Sequence, residues 1–481
     1  MADRGARKQL LVKKSLAWMA AALALQSPVA NGAEGVLAAL DEAVITKGKF
    51  DFYARYRFEN VDDDRRNTRR NYPFTPTPLI PDMDDAYAHT IRTALGYNTG
   101  LFYGFGAYLQ GEYVFHLGDE KFNDGPPGGG GSNGNIRYAD VVDPTDFEIH
   151  QYNLRYEGLP KTVIRGGRQE IIHGGPPNQQ RYIGSIPWRQ NWQSFDGVRA
   201  TSEYLANTKV DYAYIWNVNR IFGEKAKGFD LSDYSLDGHL FRVDYKGFKY
   251  GTISPYFYLL DFDSAYATTL RLSSQTYGGR FDGAYDIQPK VWKLLYVGEV
   301  AHQSDMGENP NDYGVMYGLG ELGVTWNTGN KMIEAVTVKG SYELLEGESG
   351  AVTAATAGRL SAFQTPLGTN HAFQGWNDRF LLTPGDGIED IFGTLIVKTQ
   401  VGQFMVMYHD FNSACECLDD DYDYGEEINV QFTKTFKDHF TFGLRYGEYD
   451  ANRNAMNVAR NSGGGQAFDL RKAWAWLEVK Y

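Results

Sequence analysis

"FDFYARYRFEN", residues 50–60, alternates without a break. Phe50, Phe52, Ala54, Tyr56 and Phe58 fall on one side of an extended chain; Asp51, Tyr53, Arg55, Arg57 and Glu59 fall on the other. Successive strand side chains point to opposite faces, so this stretch predicts a strand with one apolar and one charged face. "TIRTALGYN" (90–98) repeats the pattern, with Ile91, Leu95 and Tyr97 against Thr90, Arg92 and Asn98. "TFGLRYGEY" (441–449) does so again, with Phe442, Leu444 and Tyr446 against Thr441, Arg445 and Gly447.

A soluble β-sandwich also alternates, but its polar face looks outward and its strands are shorter. Here segments of about 10–13 residues recur with aromatic residues gathered toward their ends, the length and girdles of membrane-spanning strands. Their connections alternate in length. "EGLPKT" (157–162), "KGFKY" (246–250), "VGQ" (401–403) and "FKDH" (436–439) are short, whereas 60–85, 116–146, 219–236, 347–386 and 450–469 are long. Short periplasmic turns alternating with long extracellular loops are the outer-membrane pattern. The expectation is an all-β fold, a transmembrane antiparallel up-and-down β-barrel over residues 50–481, of about eighteen strands (16–18).

The two ends agree. Arg4, Arg7, Lys8, Lys13 and Lys14 precede an apolar run, Leu16 to Leu25, and the small residues of "SPVANGA" (27–33). That order reads as a signal peptide over 1–33, followed by a short periplasmic segment, 34–49. At the other end "RKAWAWLEVKY" (471–481) places Ala473, Ala475, Leu477 and Val479 on one face and closes on Tyr481. Such a strand resembles the signal read by the barrel-assembly machinery. The expected setting is the Gram-negative outer membrane, with lipid and lipopolysaccharide around the wall.

Losing the five basic residues of the leader and Asp3 takes the net charge from −13 to −17. That balance argues against nucleic acid as a partner. Cys415 and Cys417 are the only cysteines, so no disulfide framework is expected. They lack a second pair or a nearby histidine to complete a metal site, and no metal or cofactor is predicted. The acidic run 419–427 reads as a solvated loop with calcium binding as the alternative, and "GPPGGGGSNGN" (125–135) as a loop tip.

An eighteen-stranded barrel leaves a lumen that side chains alone cannot fill, so an aqueous path or an internal plug is required. The inferred inward faces carry Arg55, Arg57, Arg92, Arg155, Arg168, Arg199, Arg242, Arg280 and Arg445. They also carry Asp51, Glu112, Glu170, Asp244, Asp282, Glu299, Glu343 and Glu427. Either these charges pair across strands, or an arginine excess selects anions. The stretch 361–385, "SAFQTPLGTNHAFQGWNDRFLLTPG", stands apart as irregular and aromatic. It is read as a constriction loop within 347–386, in which His371, Trp376, Asp378 and Arg379 pack or fasten the chain or contact a sugar. A triad of His371, Asp378 and Ser361 is conceivable there, but no G-x-S-x-G or H-E-x-x-H accompanies it, and no catalytic residue is assigned.

"TVIRGGRQEIIHGG" (162–175) and "RYIGSIPWRQNWQSFDGVRA" (181–200) resemble a strand and following loop of the alginate export porin family. "FQTPLGTNHAFQGWNDRFLLTP" (363–384), "YHDF" (408–411) and "DYGEEINVQFTKTF" (423–436) are similar to barrels of that group, and the resemblance runs from about residue 48 to the end. It implies a monomeric eighteen-stranded barrel passing an anionic uronate polymer through an arginine-rich lumen. By motif it implies carboxylate contacts at Arg168 in "GRQ" and Arg189 in "WRQN". The family's exporter has a long periplasmic turn that helps gate the pore, whereas the last turn here is only Lys437 and Asp438. Uptake or diffusion of anionic or neutral oligosaccharides therefore stands beside export, with a plugged receptor or adhesion barrel as the alternative.

Overall fold

A computed structural model describes residues 33–65, 83–125, 132–226, 230–347, 362–414, 423–453 and 467–481. The leader 1–32, the tip of the glycine-rich loop, Ser361, Cys415, Cys417 and residues 419–422 lie outside the described residues. A helix, α1 (Ala33–Asp41), passes through a π-turn (Glu42–Thr46) to the first strand. The strands are β1 (Lys49–Asp63), β2 (Ala86–Asn98), β3 (Phe105–His116), β4 (Asp146–Leu159), β5 (Thr162–Gln169) and β6 (Ser194–Ser202). They continue with β7 (Thr208–Asn219), β8 (Asp233–Tyr245), β9 (Thr252–Phe262), β10 (Ser274–Gln288), β11 (Trp292–Asp305) and β12 (Gly314–Asn327). The last six are β13 (Ile333–Glu346), β14 (Gly387–Thr399), β15 (Gly402–Asn412), β16 (Asp423–Phe436), β17 (Phe440–Ala451) and β18 (Leu470–Lys480).

All eighteen form one antiparallel sheet in which each strand pairs with its sequence neighbours, and β1 pairs with β18 to close it. The closing seam runs unshifted from Tyr53 opposite Lys480 to Asp63 opposite Leu470. Two further bonds between Phe52 and Tyr481 fix the terminal aromatic on β1, at 3.0 and 2.9 Å. Closure leaves no unpaired edge, the condition for a sheet to cross lipid.

The faces sort as alternation requires. Phe50, Leu95, Leu109, Val300, Leu322 and Leu477 point out and are exposed, while Arg57, Glu59, Arg92 and Glu112 point in and are buried. Outward aromatics gather near both rims: Tyr285, Trp292, Trp326 and Phe436 at one end, Tyr87, Tyr113, Tyr277 and Tyr342 toward the other. Connections at the first end are short. At Lys437 and Asp438 the backbone adopts φ of 48° and 61°, the left-handed pair that matches hairpin twist. Connections at the other end are long, and three matter here: L2 (117–145), L3 (170–193) and L7 (347–386).

β5 and β6 are only eight and nine residues long, beside fourteen in β4. The chain leaves the wall early at Gln169 and enters the lumen as L3, with Pro176, Pro177 and Pro187 keeping it out of the sheet. L7 enters from the far side. The apolar core therefore sits inside the barrel, where Tyr182, Ile183, Phe363, Leu367 and Phe380 pack on Tyr256, Tyr317, Phe411 and Tyr449 of the wall.

Candidate functional site

L3 and L7 form a single stopper. Ile183 and Leu367 make a parallel bridge, Gly184 donates to the Leu367 carbonyl, and Thr369 donates to that of Gln180. Gln193 Nε2 bonds both Gly184 O and Leu367 O, at 2.8 and 3.0 Å. The crossing is close enough that a Cβ on Gly368 would meet the Arg181 carbonyl at 2.2 Å.

The wall holds L3 by its backbone. Arg55 donates to the carbonyls of Pro187 (2.8 Å), Trp188 (2.9 Å) and Arg189 (2.6 Å) and to Gln190 Oε1. Arg57, fully buried, reaches the Trp188 carbonyl and the Asp143 carboxylate of L2, with Glu59 at 3.3 Å. Arg92 pairs with Glu112 at 2.5 Å and lies 3.7 Å from the Trp192 ring centre. Arg181 of L3 pairs with Glu343 at 2.9 Å.

L7 is held by its charges. Both Trp376 and Asn377 donate backbone N–H groups to Glu427, at 2.5 and 3.0 Å. Gly375 allows that approach: its φ is +76°, and a Cβ would lie 2.5 Å from the Glu427 carboxylate. Asp378 accepts from His371 Nδ1 (2.6 Å) and faces Lys472 (3.1 Å) and Arg189 (3.4 Å). Arg379 pairs with Asp63 at 3.0 Å and donates to the carbonyls of Phe468 and Asp469.

Beneath the stopper, toward the short turns, lies a cavity of about 1120 Å³. Its walls come from the strand halves next to those turns, through Thr252, Leu295, Ile396, Met405, Thr441 and Glu478, and its roof from Trp188, Phe373 and Trp376. At the roof, the Arg445 guanidinium sits between the rings of Trp376 (3.9 Å) and Trp188 (4.0 Å), with Trp474 and Trp476 about it. Gln431 Oε1 accepts two of its N–H groups and His371 Nε2 a third. Because Nδ1 of His371 faces a carboxylate, its proton belongs there, and Nε2 offers Arg445 a lone pair. His371 also lies flat on Trp188, with centroids 4.6 Å apart at 4°.

Most of the inward arginines are engaged by carboxylates. Arg199 pairs with Asp211 (2.5 Å), Arg242 with Asp244 (2.8 Å) and Arg280 with Glu299 (2.9 Å). Arg155, near the short turns, pairs with Glu157 at 2.8 Å. Two placements correct what the resemblance implied. Arg168 does not face the lumen: it stands opposite Tyr152, an exposed outward residue, and bonds Asp196 on the outer face. Arg189 is buried and ties Glu59 to Asp378, so it fastens loops instead of awaiting a solute.

Sequence reasoning, having set Arg168 on the lumen side, turned Arg165, three residues away, to the opposite face. It stands directly opposite Arg155 on one side and Arg199 on the other, on the inner face. Among the described residues it has no ion pair. The missing signal was strand phase. A register shift between β3 and β4 at Gln110/Gly111 moves every later inward position of β4, and β5 inherits it. Trp188 was also missed, because a tryptophan in a loop does not announce which guanidinium it will cover.

No curated protein matches the chain. Among solved structures, OccAB4 of Acinetobacter baumannii superposes with a TM-score of 0.60 at 13% identity, over 90% of this chain and 98% of that one. OpdK of Pseudomonas aeruginosa, solved with vanillate, gives 0.60 at 12%, over 91% and 99%. OccD3 (OpdP) of Pseudomonas aeruginosa gives 0.54 at 12%, over 91% and 92%. At these identities the likeness is one of fold. The model of the alginate export family matches residues 111–379, a stretch that includes L3 and the described start of L7 through Arg379. With more than half its length matched, and with a closed eighteen-stranded barrel of the outer-membrane channel type, this chain belongs to the alginate export family.

Proposed function

We propose that this outer-membrane channel passes anionic organic solutes, uronate oligosaccharides among them, by passive diffusion once the L3–L7 stopper moves. The observation that carries the reading is the vestibule: a space of about 1120 Å³ below the stopper, open to positive groups on its roof and wall. The row Arg155–Arg165–Arg199 supports it. Like charges directly opposite one another destabilise a sheet, so an unneutralised arginine between two others is explained by contact with passing anions. Planar-bilayer recording tests the channel: ohmic current reduced by uronate oligomers is expected, and a silent barrel after removal of the stopper overturns the reading. Fastening of both loops by buried ion pairs favours a second reading, a plugged surface receptor, and silence of the intact barrel, with current only after removal of the stopper, would support it.

Selectivity separates Arg165 from Arg168. Arg165→Ala is expected to lower anion-over-cation preference, seen as a shifted reversal potential in a salt gradient, whereas Arg168→Ala on the outer face leaves it unchanged. The opposite pattern would return the lumen role to Arg168.

The stopper is also expected to loosen in acid. Burial, helped by Arg445 and Arg189 and opposed by Asp378, pushes the His371 imidazole down to about 3. Once solvated its pKa would be about 6.5. The closed form thus binds fewer protons, so its advantage is complete above that value and falls as pH drops toward 3, roughly tenfold in the closed-to-open ratio per pH unit. Burial raises Asp378, but His371, Lys472 and Arg189 outweigh it and hold the carboxyl below its usual range, which adds a further loss at still lower pH. Conductance rising between pH 7 and 5, and flat in His371→Gln, is the expected record.

A further inference from the structure

Arg445 differs from the other arginines of the vestibule. Arg280 has Glu299 and Asp282, and Lys339 has Glu321, so those charges are already neutralised at contact distance. Arg55 gives four hydrogen bonds to L3. Arg445 has no carboxylate within ion-pair distance among the described residues; its hydrogen-bond partners are Gln431 and a neutral His371. A guanidinium carries five N–H groups. Three are used, leaving two on the terminal nitrogens of a side chain that lines the cavity. Tryptophan faces hold the planar group in one orientation, which lowers the ordering cost of a bidentate bond.

The lining is mixed, with Thr394, Gln431, Thr433 and Thr441 among its polar groups, but one stretch of wall is apolar. Leu319, Phe392, Ile396, Met405 and Met407 line the cavity across β12, β14 and β15, and Met405 and Met407 pack on the tryptophan cluster. A sugar ring presents hydroxyls on every edge, and each one buried against such side chains loses its water without a partner. A flat or aliphatic body loses nothing there, and thioethers accommodate aromatic rings well.

We infer that the vestibule holds a binding site for a monocarboxylate with an apolar body, an aryl- or alkyl-carboxylic acid. Its carboxylate takes the two unused N–H groups of Arg445, and its body lies along the Met405–Met407 wall. The inference narrows the solute class of the channel reading and relies on that reading only for the route of entry. No bond is made or broken; the site is a resting point for an anion on the periplasmic side of the stopper.

Saturation-transfer NMR on the full chain in maltoside micelles tests it without ion flow, so its outcome is separate from that of the conductance experiment. Phenylacetate is expected to bind. Phenylethanol, uncharged, is expected to bind at least about tenfold more weakly, the scale of one charge-assisted hydrogen bond, and glucuronate, equal in charge but hydroxylated, about tenfold more weakly through the lost hydration of its hydroxyls. Arg445→Gln should abolish the difference between phenylacetate and phenylethanol. Met407→Gln, close in size and leaving the hydrogen bonds of Arg445 in place, should weaken phenylacetate and spare glucuronate. Retention of the heat-modifiable gel shift shows that each variant is folded. Glucuronate binding as tightly as phenylacetate would overturn the apolar body. Phenylacetate binding that both folded variants leave intact, or no binding to the parent chain, would overturn the site.

Discussion

Asp378→Ala is expected to open the channel. In the closed arrangement this one carboxylate receives the His371 proton and faces both Lys472 and Arg189, joining L7 to β18 and L3. Without it, Lys472 and the imidazole lose their carboxylate in a buried site, and Arg189 keeps only Glu59, at 3.6 Å, as an ion-pair partner among the described residues. Breaking a buried pair by removing one partner costs about 3–5 kcal/mol. A loss of about 3 kcal/mol shifts a two-state ratio roughly a hundredfold, enough to turn a closed majority into an open one if the states differ by that much. The measurement is single-channel conductance in a planar bilayer, several-fold higher and noisier in the variant, with Asp378→Asn in between. Unchanged conductance, with the loops still resistant to protease added on the extracellular side, would show that the stopper is held elsewhere.

Arg57→Ala has the other large effect, on stability. Arg57 is wholly buried and satisfies Asp143 of L2 and the backbone of L3 together. Its removal leaves Asp143, itself fully buried, with the amide of Gln190 at 2.8 Å as its bonded donor. A fall of about 3–5 kcal/mol in unfolding free energy is expected, read as a lower urea midpoint in detergent. Arg242→Ala makes the comparison. Arg242 is buried too, but its partner Asp244 lies two residues along the same strand, is partly exposed and ties no loop, so a smaller fall is expected. Equal effects from the two variants would mean that burial alone, and not the loops tied, sets the arginine's contribution.

The alternation of β1 assigned Arg55, Arg57 and Glu59 to the inside from local pattern alone, and the same logic held for Arg92 and Arg445. "GRQ" defeated it, because two glycines erase the apolar marker that tells one face of β5 from the other. The implied contact at Arg168 then took the wrong side of the wall, and Arg165 the right one. L7 was recognisable as an unusual loop from its aromatics and prolines. Its neighbour L3 was quoted for its motif, yet nothing in "IPWRQNW" says that Trp188 will meet His371 of another loop.

What the sequence by itself determined is the barrel: the faces of its regularly alternating strands, a strand number of about eighteen, short and long ends, and closure by a terminal strand. These are local properties, since each residue's face follows from its place in its own strand. Only the tertiary structure decided which charges are free to meet a solute. Asp63 and Arg379 are 316 residues apart, and Arg189 and Asp378 are 189 apart. Neutralisation depends on distances through space, and in a closed sheet those are set by shear, bulges and the path of the loops through the lumen. An arginine's fate, whether rivet or open cation, is therefore written only when the last strand meets the first.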